Sequence, residues 1–216
     1  MISGDSSSSF AMSPEQTAAA YDRIAAWWGQ EHCHSSYGVK PLLRAISFAK
    51  AGGRALDVGC GSSGRFIEVL RQQGFTVEGL DASPEMIALA RERHPDGVFH
   101  VAEISSWTFP GRYDLISAWD STFHLPLDLQ EPALRRMCEG LAADGILIHT
   151  FGGVNEPGEI TGSFQGEAFG YSSLGVTRNL ELLARFGCVC KHLEFDQGPE
   201  ERHVYCIAQK LGEAAS

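Results

Sequence analysis

Hydrophobic residues follow two alternating patterns along the chain. Short apolar runs at RALDVG, FTVEGLD, VFHVAE, YDLISAWD and GILIHTF are typical of buried strands, and amphipathic stretches separate them. Strands that alternate with helices predict parallel pairing with helices on both faces of the sheet. The pattern therefore predicts an α/β fold with a doubly wound sheet, whose ligand site lies at the carboxyl ends of the strands.

The amphipathic stretches predict helices over residues 65–73, 83–93, 127–141 and 175–186. The Gly-rich stretch 152–173 has no clear periodicity and is interpreted as a loop, which acts as a lid or binding element or is disordered. At the end of the chain, CVCKHLEF and RHVYCIAQK predict an antiparallel hairpin.

The N-terminal part of the chain is predicted to be helical. Ser13, Pro14 and Gln16 form a capping-box pattern that begins a helix ending near Trp28, and a second helix is predicted over residues 41–51. Residues 1–12 show no periodic pattern and predict a flexible tail. The predicted organisation is a tail at 1–12, a helical segment at 13–53, and a ligand-binding domain at 54–211 with an insertion at 152–173.

Composition narrows the classes of partner. The formal net charge is -10, and the 17 Lys and Arg residues are scattered, so a nucleic-acid partner is not expected. No apolar run reaches the length of a membrane helix, so no membrane partner is expected. Six cysteines without a C-x-x-C pair, and no basic-then-apolar leader, favour reduced thiols in a cytoplasmic protein.

The stretch 56–66, LDVGCGSSGRF, carries the candidate chemistry. Gly59, Gly61 and Gly64 fit the G-x-G-x-x-G dinucleotide fingerprint, and Asp81 follows roughly 20 positions later. Asp57, however, stands just before the loop, where a carboxylate would repel a pyrophosphate. The same carboxylate would attract S-adenosylmethionine, which carries a sulfonium and an ammonium and has no phosphate.

Further residues at strand ends are candidates for contacts with this cofactor. Gly59 and Gly61 leave space for the methionine portion, Cys60 between them is a further candidate contact, and Asp81 can accept from the ribose hydroxyls. The remaining candidates are Ala82, Met86, Glu103 and Ile104 for the adenine, and Trp119 and Asp120 at the end of the fourth strand.

The ordered series LDVGCGSSGRF, VEGLDASPEMIALAR, HVAEIS, YDLISAWDSTFHL and GILIHTF resembles class I S-adenosylmethionine-dependent methyltransferases over about residues 54–210. The resemblance implies a Rossmann-like seven-stranded sheet in the order 3-2-1-4-5-7-6, with the seventh strand antiparallel. It also implies that the helices at 13–53 form a cap in which Tyr21, Trp27 and Trp28 cover the cofactor and acceptor, the alternative being core contact with the sheet. One departure is Ser63, which occupies the third glycine position of the family, with Gly64 one place later.

Candidate catalytic residues follow the fourth strand. His124 is a candidate general base, the alternative being a histidine that packs the loop, and Tyr171 can reach a substrate from the long loop. The run His32-Cys33-His34 contains metal-ligand types but has no spaced partner set, so no metal is expected.

The resemblance implies a methyltransferase that acts on a small-molecule acceptor and releases S-adenosylhomocysteine. Two alternatives stay open at this point. The glycine fingerprint is also typical of an NAD-dependent oxidoreductase, and a non-catalytic S-adenosylmethionine-binding protein would keep Asp57, Asp81 and Glu103. A monomer or a homodimer is expected.

Overall fold

The computed structural model describes residues 12–198 and 202–212, so residues 1–11 of the predicted tail lie outside the described residues. The strands are β1 (Arg54–Val58), β2 (Thr76–Asp81), β3 (Val98–Val101), β4 (Tyr113–Ala118), β5 (Leu141–Gly152), β6 (Gly158–Phe164), β7 (Glu167–Ser173), β8 (Cys188–Phe195) and β9 (His203–Lys210). The helices are α1 (Pro14–His32), α2 (Val39–Ile46), α3 (Arg65–Gln72), α4 (Pro84–Arg93), α5 (Leu127–Gly140) and α6 (Val176–Arg185), with a short 3-10 turn at Thr122–His124.

Seven strands form one sheet in the order β3-β2-β1-β4-β5-β9-β8. Strands β1 to β5 pair in parallel, and β9 lies antiparallel between β5 and β8. Because β6 and β7 form a separate sheet, β8 and β9 are the sixth and seventh strands of the main one. The predicted Rossmann-like topology, including the antiparallel last strand, is confirmed.

Two hydrophobic clusters cover the two faces of this sheet. Along β1, Leu56 belongs to one cluster and Ala55 to the other, and along β4, Ile116 and Leu115 divide in the same way. Successive side chains of a strand point to opposite faces, so this alternation means that helices bury both sides. The central strands therefore form a rigid platform, and their carboxyl ends are held in fixed positions.

The two N-terminal helices differ from their predicted bounds. The capping box of α1 is formed by Ser13 and Gln16 as predicted, but the helix continues beyond Trp28 to His32. Helix α2 begins at Val39 and ends at Ile46, whereas residues 41–51 were expected. The Ser47 hydroxyl donates to the Arg44 carbonyl at 2.7 Å, which satisfies a carbonyl of the last turn and ends the helix early.

Most of the Gly-rich stretch 152–173 is a β-hairpin, so its interpretation as a loop was wrong. Strands β6 and β7 pair along their whole length across a two-residue turn at Gln165 and Gly166. Both turn residues have positive φ, 51° and 81°, which is typical of the turn that matches the twist of a tight hairpin. The hydrophobic pattern did not reveal this hairpin because β6 is almost wholly exposed and shows no alternation of apolar and polar residues. Only β7 contributes a buried hydrophobic side chain, that of Phe169.

Within the described residues, no helix combines the length and the apolar character needed to cross a membrane.

Candidate active site

A cavity of about 200 Å³ lies at the carboxyl ends of β1, β2 and β4. A second cavity, which includes Tyr171 and Ile160 in its lining, holds only about 10 Å³. The larger cavity is lined by the glycine loop after β1, by α1, and by the segment after β4. This is the edge where an open α/β sheet binds its ligand.

All thirteen residues predicted to contact a cofactor line this cavity. They are Tyr21, Trp28, Asp57, Gly59, Cys60, Gly61, Asp81, Ala82, Met86, Glu103, Ile104, Trp119 and Asp120. They come from five separate parts of the chain and meet because parallel strands end at one edge of the sheet.

The glycine loop has a conformation that requires its glycines. Gly59, Gly61 and Gly64 have positive φ values of 69°, 59° and 62°, a region that residues with a Cβ rarely adopt. A Cβ on Gly59 would also lie 2.3 Å from the Cβ of Ser121. Gly64 takes its left-handed conformation at the N-cap of α3, so the displaced third glycine serves the entry into this helix.

Asp57 lies buried beneath this loop, with 4% of its surface exposed. Its Oδ1 accepts a hydrogen bond of 2.6 Å from the Ser117 hydroxyl. Burial raises the pKa of Asp57 to about 7, although the Ser117 hydrogen bond and the nearby Arg65 guanidinium act in the opposite direction. The site thus holds a carboxylate that gains from a cationic partner.

Two further carboxylates are tied to backbone N–H groups. Asp81 accepts from the N–H groups of Gly61 and Ser83 at 2.9 Å each, and burial raises its pKa despite these bonds. Glu103 accepts from the Ser105 N–H at 2.7 Å and from the Ser105 hydroxyl. Each carboxylate oxygen can accept a second hydrogen bond, so both side chains keep acceptor capacity for a ligand.

Helix α1 covers the loop and is anchored to it. The Ser62 hydroxyl donates to the Ala25 carbonyl at 3.2 Å. Asp22 accepts from the Ser83 hydroxyl at 2.5 Å and from the Glu85 N–H at 3.1 Å, which caps α4. Of the three aromatic residues expected to cover the site, Tyr21 and Trp28 line the cavity, whereas the Trp27 ring packs on Phe164 at 5.4 Å.

His124 is buried at the cavity wall, with fixed partners on both ring nitrogens. Nδ1 lies 2.9 Å from the Gly170 carbonyl and Nε2 lies 2.8 Å from the Tyr21 hydroxyl. A carbonyl can only accept, so Nδ1 carries the proton and Tyr21 donates to Nε2. Tyr171 does not line the main cavity, but its ring packs 4.9 Å from the His124 ring. Strand β7 of the unexpected hairpin therefore orients the candidate base.

A second histidine was missed by sequence reasoning. His203 on β9 donates from Nε2 to Asp120 at 2.8 Å and from Nδ1 to Asp196. Burial lowers the pKa of His203, but the two hydrogen bonds to carboxylates outweigh burial and the pKa is raised. An imidazolium with both N–H groups on carboxylates holds Asp120 at the cavity wall. No local pattern around His203 points to this role, because its partner lies 83 positions away.

Arg65 was also not predicted as a site residue, although it lies within the stretch LDVGCGSSGRF. The guanidinium lines the cavity and its Nε is buried without a hydrogen-bond partner among the described residues. Three other buried polar atoms of the cavity wall share this condition: Thr17 Oγ1, Trp119 Nε1 and Ser121 Oγ. Buried polar atoms normally have partners, so these four atoms are candidates for hydrogen bonds to a bound polar ligand.

The run His32-Cys33-His34 shows no metal-site geometry. The His32 ring stacks on Trp28 at 4.0 Å, and its Nδ1 lies 3.1 Å from the Trp28 carbonyl. Across the described part of the chain, no cluster of three or more His, Cys, Asp or Glu side chains is arranged to hold a metal ion.

Comparison with known families agrees with this geometry. Residues 15–164, more than half of the chain, match the family model described as a methyltransferase domain. The chain is 29% identical over 135 residues to the dTDP-3-amino-3,6-dideoxy-alpha-D-glucopyranose N,N-dimethyltransferase of Streptomyces fradiae, covering 62% of this chain and 52% of that protein. It is 41% identical over 98 residues to the 2-heptyl-1-hydroxyquinolin-4(1H)-one methyltransferase of Mycobacteroides abscessus, covering 42% of each chain. The chain spans about half the length of the curated relatives it matches.

The fold is similar to that of a solved methyltransferase. The Burkholderia thailandensis 1,6-didemethyltoxoflavin-N1-methyltransferase, crystallised with 1,6-didemethyltoxoflavin and S-adenosylhomocysteine, superposes with a TM-score of 0.68. The match covers 97% of this chain and 93% of that chain at 17% identity. At this identity the likeness concerns the fold alone.

Proposed function

Since the chain belongs to the family of class I S-adenosylmethionine-dependent methyltransferases, we propose that it transfers the methyl group of this cofactor to a small-molecule acceptor. The product of the cofactor is S-adenosylhomocysteine. The observation that carries this proposal is a cavity in which the buried Asp57, three further carboxylates and buried polar atoms without partners among the described residues meet under a helical cover. The residues of the cavity fit the cofactor group by group.

The amino-acid end of the cofactor fits the pair Asp57 and Arg65. The methionine portion carries an ammonium and a carboxylate, and the cavity offers the buried Asp57 carboxylate and the half-buried Arg65 guanidinium, whose buried Nε has no partner among the described residues. Asp57 is assigned to the ammonium and Arg65 to the carboxylate. Charge-assisted hydrogen bonds of this kind contribute roughly 1.5–3 kcal/mol each.

The nucleoside end fits the residues that follow β2 and β3. Asp81 keeps acceptor capacity for the ribose hydroxyls, and Glu103 keeps it for the adenine amino group. Met86 and Ile104 are buried apolar side chains at the same wall and are assigned to the faces of the adenine ring. Cys60 and Ala82 complete this wall.

The charge of the cavity supports this cofactor over NAD. Asp57, Asp81, Glu103 and Asp120 line the cavity, and Arg65 is its one permanently cationic side chain among the described lining residues. A wall of this composition attracts a sulfonium and an ammonium and repels a doubly anionic pyrophosphate. The oxidoreductase hypothesis, which rests on the glycine pattern and on Asp81 about 20 positions later, is disfavoured.

The protein's own residues position the reactants and exclude water. When bound, S-adenosylmethionine supplies a methyl group on a sulfonium, which is transferred by in-line displacement. Helix α1 lies over the loop and presents Tyr21 and Trp28 to the cavity. Holding an acceptor near attack distance beneath such a cover can supply much of the rate acceleration.

A small acceptor is supported by the curated relatives and by the cavity itself. One relative is named for a nucleotide-linked amino sugar and the other for a hydroxyquinolinone. In this chain, the wall beyond the cofactor residues includes Pro14, Thr17, Ala18 and Leu125, which enclose a limited and largely apolar space.

Calorimetric titration of the purified protein tests the proposal. We expect micromolar binding of S-adenosylmethionine and S-adenosylhomocysteine, and no binding of NADH. An Arg65→Gln variant should lose affinity for S-adenosylhomocysteine but keep its affinity for 5′-methylthioadenosine, which lacks the amino-acid portion. Binding of NADH alone would overturn the proposal.

A further inference from the structure

Tyr21 and His124 form a hydrogen-bonded pair at the wall of the cavity. Both residues line it, and the Tyr21 hydroxyl lies 2.8 Å from His124 Nε2. The proton of the hydroxyl is directed at the imidazole, because Nδ1 of the same ring is committed to the Gly170 carbonyl at 2.9 Å. The Tyr21 oxygen keeps free acceptor capacity, since no other described residue donates to it.

The surroundings keep both members of the pair neutral until a proton arrives. Burial raises the pKa of Tyr21 well above its ordinary value, and the Asp81 and Asp120 carboxylates add to this effect. Burial lowers the pKa of His124, whereas the Gly170 carbonyl and the Asp120 carboxylate favour its protonated form. His124 is therefore a neutral proton acceptor at neutral pH, and the Asp120 carboxylate stabilises the imidazolium that forms when it takes a proton.

We propose that Tyr21 and His124 are a proton relay for an acceptor that is a planar ring bearing an ionisable hydroxyl, an inference that rests on the proposed function. As the acceptor oxygen bonds to the methyl carbon, the carbon–sulfur bond breaks and its electron pair stays on sulfur. The acceptor's O–H proton passes to the Tyr21 oxygen, and the Tyr21 proton passes to His124 Nε2. The imidazolium later releases this proton to solvent, so charge and atoms balance.

The class of acceptor follows from the wall around the pair. Pro14, Ala18 and Leu125 are apolar, and Thr17 adds a buried hydroxyl to which no described residue hydrogen-bonds. Tyr21 packs edge-on against Trp28 and at a tilt against Phe169, so its ring is held in place. A flat apolar ring fits these walls, and a hydroxyl on its edge can reach the Tyr21–His124 pair.

Tyr171 provides a matched control in the same structure. Its ring packs 4.9 Å from the His124 ring, but no hydrogen bond joins its hydroxyl to a described residue. Both Tyr21→Phe and Tyr171→Phe remove a phenolic hydroxyl beside the same histidine. Only the first removes the hydroxyl that bonds to Nε2.

The test measures proton uptake when an anionic probe binds. The protein is saturated with S-adenosylhomocysteine and titrated with 4-nitrophenol at mildly alkaline pH, where the free probe is an anion and His124 is neutral. The Tyr21 hydroxyl then donates its hydrogen bond to the probe oxygen instead of to His124. Because Nε2 of His124 has lost this donor, it takes up a proton from solvent. Calorimetry in two buffers of different ionisation enthalpy measures this uptake, and 4-nitroanisole, the corresponding methyl ether, is the neutral control.

We expect about one proton per bound 4-nitrophenol in the wild type and in Tyr171→Phe. Tyr21→Phe and His124→Gln should take up none, and no protein should take up a proton with 4-nitroanisole. Undiminished uptake in Tyr21→Phe, or no probe binding to the saturated wild type, would overturn the relay. Failure to bind S-adenosylhomocysteine in the first place would instead overturn the proposed function.

Discussion

Replacing Asp57 with Asn should make the protein more stable and its cofactor binding weaker. The carboxylate is buried, its pKa is raised to about 7, and its Oδ1 accepts from Ser117. Asn has the same shape and can accept the same hydrogen bond, but it never becomes charged. The substitution therefore isolates the effect of the negative charge.

The magnitude follows from the pKa. An ordinary aspartate has a pKa of 3.8, so the value of about 7 means that the folded state binds more protons than the unfolded state between these limits. The free energy of unfolding of the wild type thus falls as pH rises through this window. Each pH unit within this window lowers the free energy of unfolding by about 1.36 kcal/mol, so two units lower it by about 3 kcal/mol. Asp57→Asn lacks the titrating carboxyl and should not show this decrease.

Urea denaturation of the ligand-free protein at about pH 5 and about pH 8 measures this difference. The stability advantage of Asp57→Asn should grow by about 3 kcal/mol at the higher pH, while the exposed Asp96→Asn should show no such change. Affinity for S-adenosylhomocysteine should fall by roughly tenfold or more at pH 8. An advantage independent of pH would refute the assignment of the cost to an ionised Asp57, and unchanged affinity would refute its role with the ammonium.

Three further predictions concern the loop and its neighbours. Asp81→Ala should weaken S-adenosylhomocysteine binding by at least about 1 kcal/mol in a calorimetric titration, because it removes the ribose acceptor; unchanged affinity would remove that assignment. Gly59→Ala should lower the free energy of unfolding by about 1–3 kcal/mol more than Gly74→Ala. Both glycines have positive φ, but an added Cβ would meet Ser121 only at position 59. Equal losses of the two variants in urea denaturation would contradict the predicted clash. Asp196→Asn should lower the free energy of unfolding at about pH 5.5 and much less at high pH. The raised pKa of His203 means that the protonated histidine stabilises the fold below its unfolded-state pKa, and that this stabilisation is lost as pH rises through its folded-state pKa. An equal loss at both pH values in urea denaturation would contradict this role of His203.

The fold and the cofactor end of the cavity follow from local sequence patterns. Asp57 and Asp81 end apolar runs, and parallel strands bring such ends to one edge, so their convergence is predictable. The contacts that complete the wall join distant positions: Tyr21 and His124 are 103 residues apart, and Asp120 and His203 are 83 apart. Such pairs depend on how α1 and β9 pack on the sheet, and no pattern within either segment encodes the partner.

The hairpin β6–β7 shows why the acceptor end is harder to predict than the cofactor end. Its strand β7 supplies the Gly170 carbonyl that fixes the tautomer of His124 and the Phe169 ring that packs on Tyr21. The match to the family model ends at residue 164, before either group. The part of the wall assigned to the acceptor thus depends on a segment that the shared pattern does not cover. If the relay operates, substitutions at Phe169 or Gly170 should alter proton uptake at His124 while leaving S-adenosylhomocysteine binding intact, because neither residue is assigned to the cofactor.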